Sequence, residues 1–304
     1  MQLFKNALYY VGEDMLNWPA LRDEITLNSI LGEFKFTPCH ASATISFGWV
    51  PPIDAMGEDN LVRHVEGAFL ISFQIEEKKI PASGLKYLLN QRVHEIQTRE
   101  SRKLKAKERA AVKDEILQDL LPKVISNFTS ISAFIIPSKN LIIINNTSAK
   151  KAELLLNKLR ESMGSLKVTP ITSGLNQSPT KIMTSWLRDG FPQGYEYDSS
   201  LDLDILSDAE GLSIKIKNDD PACPEIQAHL DKGYEVTKIS LLSEDITVTI
   251  KSDMAVSGIK VSDALIETYQ VEGDDDILAT LDSSILINKN ALITLHDLMI
   301  AQFG

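Results

Sequence analysis

Cysteine is nearly absent. Cys39 and Cys223 are the only two in 304 residues, too few for a disulfide framework or a zinc site. They are expected to be unpaired thiols of a reducing cytoplasm. No apolar run approaches the ~20 residues of a membrane-spanning helix. The opening MQLFKNALYYVGEDM lacks the charged start, apolar core and small-residue cleavage site of a secretory signal, and none is expected. Enzyme signatures are equally scarce: there is no Walker loop, GxGxxG, HExxH or GxSxG. His40, His64, His94, His229 and His296 are scattered without ligand spacing. Asp202, Asp204 and Asp208 fail as a calcium loop, because Leu206 fills a ligand position and the turn glycine is missing. Neither a metal nor an organic cofactor is expected.

What is present is globular composition, 43% hydrophobic and 24% charged, on a chain long enough for two or three subdomains with their own cores. The formal net charge is -11, which first argues against a polyanionic partner. Its distribution reverses that. Asp198 to Asp282 holds 20 acidic and 6 basic residues, a net of -14, so the rest of the chain carries +3. Arg99 to Lys113 alone has seven basic residues against Glu100 and Glu108. Such a chain is polarised, and its mean charge says little about what its basic region binds.

The periodicities predict a mixed α+β pattern. LFKNALYYV reads as a strand and WPALRDEITLNSILGEF as a helix with Trp18, Leu21 and Ile25 at helical spacing. GAFLISFQIEEKKIP alternates Phe69, Ile71, Phe73 and Ile75 on one face of a strand. A long helical region starts near Ser83 as N-cap and reaches Leu121 before Pro122. Unbroken from Leu85 it would span roughly 55 Å. A bend near residues 98–105 into an antiparallel helical pair is therefore expected. SAFIIPSKNLIIINN predicts a hairpin turning at 137–140, SAKKAELLLNKLRESMGS a helix closed by Gly164, and KVTPI a strand. Beyond a polar connector after Ile171, the acidic third holds helix PTKIMTSWLRDG, strand GLSIKIK, helix PEIQAHLDKG and hairpin YEVTKISLLSEDITVTIKSD. A last helix is expected to be capped by Asp274 to Asp276.

On a continuous helix Arg102, Lys105, Arg109 and Lys113 share one face, with Arg99, Lys103 and Lys107 on the adjoining stripe and the two glutamates off the first. Stacked like charges repel, a cost relieved when phosphates replace small counterions. The same run also reads as an ordinary solvated helix face. Lys150 and Lys151 fall in the first turn of their helix, where cations oppose the dipole while exposed amides are able to receive a phosphate. Glu76 and Lys78, alternating at a strand end, match the Glu-x-Lys of metal-dependent nucleases, with Asp54 or Asp59 as a second ligand. Val124, Ile125 and Phe128 form a candidate apolar patch after LLPK, open to packing within the subunit or against a second copy. A third alternative makes the acidic third a protein-interaction scaffold.

LFKN, FTPC, GWVPP, EEKKIP, RKLKAKE followed by VKDEILQDLLPK, and SAKKAELLLNKLRESMGSLKVTP together resemble the RdgC family of bacterial recombination-associated proteins. The match is dense from Leu3 to Pro170 and thinner beyond, where VTKISL is the best anchor. The resemblance implies a non-catalytic, nucleoid-associated cytoplasmic protein without membrane attachment. It implies a homodimeric ring that encircles double-stranded DNA with little sequence preference and restrains the recombinase RecA; single-stranded DNA is a second candidate ligand. It carries the DNA contacts onto Arg102, Lys103, Lys105, Lys113, Lys150 and Lys151, with Lys107 and Arg109 keeping the segment's charge and Arg99 beside them. It places one dimer contact at Ile125, near Phe128, and another at the tip near Lys217 and Asn218. The protomer then reads as residues 1–80, the N-terminal part of a central α+β region; 81–128, a helical base; 129–175, a ββαβ part of the central region; and 176–304, an acidic α+β region including the tip.

Overall fold

A computed structural model describes residues 4–198, 203–207, 212–216, 220, 223–268 and 277–304. Its strands are β1 (Asn6–Gly12), β2 (Ile45–Val50), β3 (Val62–Val65), β4 (Ala68–Glu77), β5 (Asn127–Ile136), β6 (Leu141–Ile144), β7 (Val168–Pro170), β8 (Glu196–Tyr197), β9 (Leu203–Ser207), β10 (Leu212–Ile216), β11 (Glu235–Leu242), β12 (Ile246–Lys251) and β13 (Val256–Val261). Its helices are α1 (Glu24–Gly32), α2 (Ala82–Glu100), α3 (Ala106–Leu120), α4 (Ala149–Met163), α5 (Pro179–Asp189), α6 (Pro224–Asp231), α7 (Asp263–Thr268) and α8 (Ile277–Phe303). The α+β class is as expected. The chain divides into two compact units, one of Met1–Glu33, Pro51–Ser72 and Ile131–Gly304, the other of Phe34–Val50 and Phe73–Ser130.

The first unit is built on an antiparallel sheet in which β1 is central. Asn6 pairs with Ser257 of β13, Leu8 with Ile144 of β6, and Val11 with Thr169 of β7. Leu141, Ile142, Ile143 and Ile144 are buried on both faces of β6, as a continuous apolar run in a covered sheet requires. Beyond β13 the order continues through β12, β11, β9 and β10. In α4, Ala152, Leu155, Leu156 and Leu159 repeat at helical spacing and are buried; Gly164 ends the helix at φ 78°, a left-handed conformation that favours glycine. The long α8 buries Ile285, Leu292, Leu295, Met299 and Phe303. Its polar groups are matched as well: Tyr9 donates its hydroxyl to the Leu292 carbonyl at 3.1 Å, and Asn288 accepts from the Phe4 amide at 3.2 Å.

In the second unit Trp49 and Phe73 pack edge to face, 5.4 Å between centroids, with Phe47 also against Phe73. Gly48 must be glycine, because a Cβ there would lie 2.5 Å from the Phe36 Cα. α2 and α3 form the helical pair, and the bend falls at residues 101–105 as the sequence predicts.

Several expectations change. WPALRDEITLNSILGEF is a 3-10 turn at Pro19–Leu21 followed by α1, because Asp23 caps α1 by accepting from the Thr26 amide at 2.7 Å; Ile25 then points to solvent. In β4, Phe69, Leu70, Ile71, Ser72, Phe73, Ile75 and Glu76 are all buried, so both faces are covered where a one-faced alternation is expected. α2 starts at Ala82 behind Pro81, which places Ser83 inside its first turn. The short β3, β8, β9 and β13 and the helix α7 carry no sequence signal of their own. The proposed cap at Asp274 to Asp276 and the tip positions Lys217 and Asn218 lie outside the described residues.

Candidate nucleic-acid interface

The basic stretch occupies the turn of a helical hairpin. α2 ends at Ser101, a non-glycine residue in the left-handed region at φ 53° and ψ 30°. α3 starts after Lys105, whose extended backbone places its amide against Glu108 Oε2 at 2.7 Å. A glutamate three residues past the N-cap is the reciprocal half of a capping box. Arg102 closes the turn. Its two Nη atoms donate to Glu108 Oε2 and Oε1 at 2.9 and 2.7 Å, and Nη2 also meets Glu100 Oε2 at 2.8 Å. The Arg102 fork and the Lys105 amide hold the Glu108 carboxyl down from its ordinary 4.5 to about 2, and the carboxylates raise the guanidinium in turn.

This corrects the continuous helical face. Arg102 and Lys103 are in the turn and Lys105 is the cap, so only Lys107, Arg109 and Lys113 belong to α3. At 100° per residue Lys107 lies about 120° from Lys113 and about 160° from Arg109. Glu100 and Glu108 do not stand apart from the first stripe; they grip its first member. Arg109 donates to Asn90 Oδ1 of α2 at 2.7 Å. Arg92 of α2 pairs with Glu95 at 3.2 Å and approaches Glu115 of α3 at 4.0 Å, as antiparallel neighbours do. Arg99 is exposed, 3.8 Å from Glu100. Lys103, Lys105, Lys107 and Lys113 are exposed, and none of the four ammonium groups has an ion-pair partner among the described residues.

Lys150 and Lys151 stand in the first turn of α4, in the other unit, with no acidic residue in that turn and no side-chain cap from Ser148. Ile125 is 89% exposed and Phe128 58% exposed, the latter with its ring edge-on to Phe36 at 6.4 Å. Packing of Ile125 within its own subunit is therefore excluded by its exposure.

Glu76 is held by hydrogen bonds from Ser126 and Cys39. It is only 5% exposed. Its Oε1 accepts from the Ser126 hydroxyl and its Oε2 from the Cys39 amide, both at 2.6 Å. Those bonds, with Ser126 the larger contribution, lower its carboxyl from the ordinary range. Lys78 donates from Nζ to the His40 carbonyl at 3.1 Å. The pair ties β4 to residues 39–40 and to Ser126, next to Ile125. Asp54 lies in a 3-10 turn of the other unit, with Asp59 just after it. Among the described residues no group of three or more His, Cys, Asp or Glu is arranged to hold a metal ion. No helix among them is long and apolar enough to cross a membrane.

The chain is an α+β protein with a lysine-rich helical hairpin; comparison with known proteins narrows its class. A family profile described as "Putative exonuclease, RdgC" matches residues 2–304. The chain is 32% identical over 304 residues to "Recombination-associated protein RdgC" of Shewanella sp. (strain ANA-3), covering 99% of this chain and 97% of that one. It is 33% identical over 306 residues to the protein of the same name from Edwardsiella ictaluri (strain 93-146), covering 100% and 98%. With that from Pseudomonas aeruginosa PAO1 it shares 33% identity over 292 residues, covering 93% and 91%. The chain belongs to the RdgC family.

Proposed function

We propose that the protein acts in homologous recombination as a non-catalytic, sequence-tolerant binder of duplex DNA. It works as a homodimeric ring in the cytoplasm, on the nucleoid, and restrains RecA by occupying its substrate. The observation that carries this reading is the hairpin: Lys103, Lys107 and Lys113 are exposed without an ion-pair partner among the described residues, on the one strongly basic stretch of a chain of net charge -11. Lysines are compact point charges that follow a phosphate backbone without reading bases. Lys150 and Lys151, in the first turn of a helix that has no acidic residue there and no side-chain cap, add a second phosphate-attracting feature. The relatives' name, recombination-associated protein, supports the process. The exposed Ile125 and Phe128 support self-association, since large apolar side chains left in water mark contact surfaces when they cluster. The acidic Asp198 to Asp282 region then limits the approach of a second duplex.

The test is duplex binding as a function of salt. Log affinity should fall linearly with log salt, by about 0.9 per phosphate neutralised, and equally for unrelated sequences. The family description as an exonuclease supplies the second reading. It is tested by incubating linear and circular DNA with protein plus magnesium or manganese. Intact DNA supports the non-catalytic reading; cleavage abolished by Glu76→Ala would restore Glu76 and Lys78 as the catalytic pair.

A further inference from the structure

We infer that the basic stretch divides its labour by residue type: Arg102 and Arg109 are positioning residues that fix the α2–α3 turn, and Lys103, Lys107 and Lys113 make the phosphate contacts. This rests on the DNA-binding reading above, and it reverses the order of importance that charge alone assigns to Arg102. Both terminal nitrogens of Arg102 are committed to carboxylates: two bonds to Glu108 and a third contact to Glu100. A phosphate that recruited Arg102 would have to displace a fork-on-fork pair, the geometry in which guanidinium and carboxylate bind each other best. It would also leave Glu108 uncompensated beside the incoming charge. Arg109 commits one terminal nitrogen, Nη2, across the hairpin to Asn90.

The arrangement has a conformational purpose. Ser101 is a non-glycine residue in the left-handed region, which the local sequence does not favour. Residues 101–105 are held by Glu108, which accepts from the Lys105 amide and the Arg102 fork together. Without the fork, Lys103 at the centre of the turn loses its fixed direction and must be ordered on binding. The lysines have no such engagement, and their three rotatable donors meet phosphates at any register along the duplex.

The experiment follows duplex affinity by fluorescence anisotropy across salt concentrations, together with backbone amide exchange in the free full-length protein. Lys103→Gln and Lys107→Gln are each expected to reduce the log–log salt slope by about 0.9 and to leave amide exchange at 101–107 unchanged. Arg102→Gln is expected to keep the slope, to speed exchange at 101–107, and to weaken binding by about tenfold, the cost of re-ordering roughly one residue's backbone. Arg102→Lys keeps the charge and cannot make the fork. It should behave like Arg102→Gln under this assignment and like wild type if Arg102 is a phosphate contact. An Arg102→Gln slope reduced by about 0.9 with unaltered amide exchange overturns the inference and leaves the DNA-binding reading intact. A wild-type protein without salt-dependent binding overturns that reading instead. The exchange data would then still decide whether Arg102 fixes the turn.

Discussion

α8 and the α2–α3 hairpin are both long helical regions, and they are held by opposite means. α8 buries Ile285, Ile287, Ala291, Leu292, Leu295, Met299 and Phe303. The hairpin, longer in total, buries only Val93 of α2 and Val112 of α3, and neither completely. A helix is stabilised chiefly by packing an apolar face, so α8 belongs to a core and the hairpin does not. The hairpin instead uses polar struts on its surface: Arg102 on Glu108 and Glu100, Arg109 on Asn90, Arg92 near Glu115. Leu88, Ile116 and Leu120 line one pocket between the two helices. Where a helix is kept out of the core its surface is free for charge, and that is where the lysines are.

The comparison can be broken at either end. The largest effect is expected from Phe303→Ala, which removes a fully buried ring 5.4 Å from Trp186 and should cost about 3–5 kcal/mol of stability in denaturant titration. A loss under about 1 kcal/mol would mean that α8 is not the core element described. Next is Ile125→Asp, at an exposed site where a two-fold contact would bury two like charges beside each other. Light scattering should show monomers, with circular dichroism unchanged; a variant that stays dimeric removes Ile125 from any interface. Val112→Ala should cost about 1.5 kcal/mol, near 0.8 per methylene removed, and should loosen amide protection along α2 and α3 before that along α8.

The smallest effect is on pH. Glu108 has its folded value depressed to about 2 from 4.5. Its contribution is therefore complete above 4.5 and is lost as pH falls through about 2. Amide protection at residues 103–107 should persist at pH 4 and disappear near the lower value. Glu108→Gln should abolish that transition. Protection lost already around the ordinary carboxylate range would contradict the Arg102 clamp.

The sequence made the basic stretch, the bend near 98–105, the 132–146 hairpin and the Gly164 stop legible, because each rests on a local signal. It misplaced the charged face because the helical wheel assumed that 102–113 is one helix. The contrary signal was present: Glu108 three residues after Lys105 is a cap pattern, but a lysine at the cap position conceals it. The surroundings of Glu76 were hidden for a related reason. Glu-x-Lys at a strand end is visible locally, while its partners Cys39 and Ser126 are 37 and 50 residues away. β3 and β13 escaped because VRHV and VSGIKV are short and half polar, and depend on β4, β12 and β1 for their pairing. Exposure of Ile125 is a tertiary fact that spacing alone leaves open.

The central claim, that the hairpin lysines carry the DNA contacts, is tested most directly by exchanging charge in the two regions separately. Lys103, Lys107 and Lys113 together to Gln should flatten the log–log salt dependence of duplex binding by about 2.7, three phosphates at about 0.9 each. Lys232 and Lys260 to Gln, both exposed in the acidic region, should leave it unchanged. A triple variant that folds normally and keeps the wild-type slope would contradict the account.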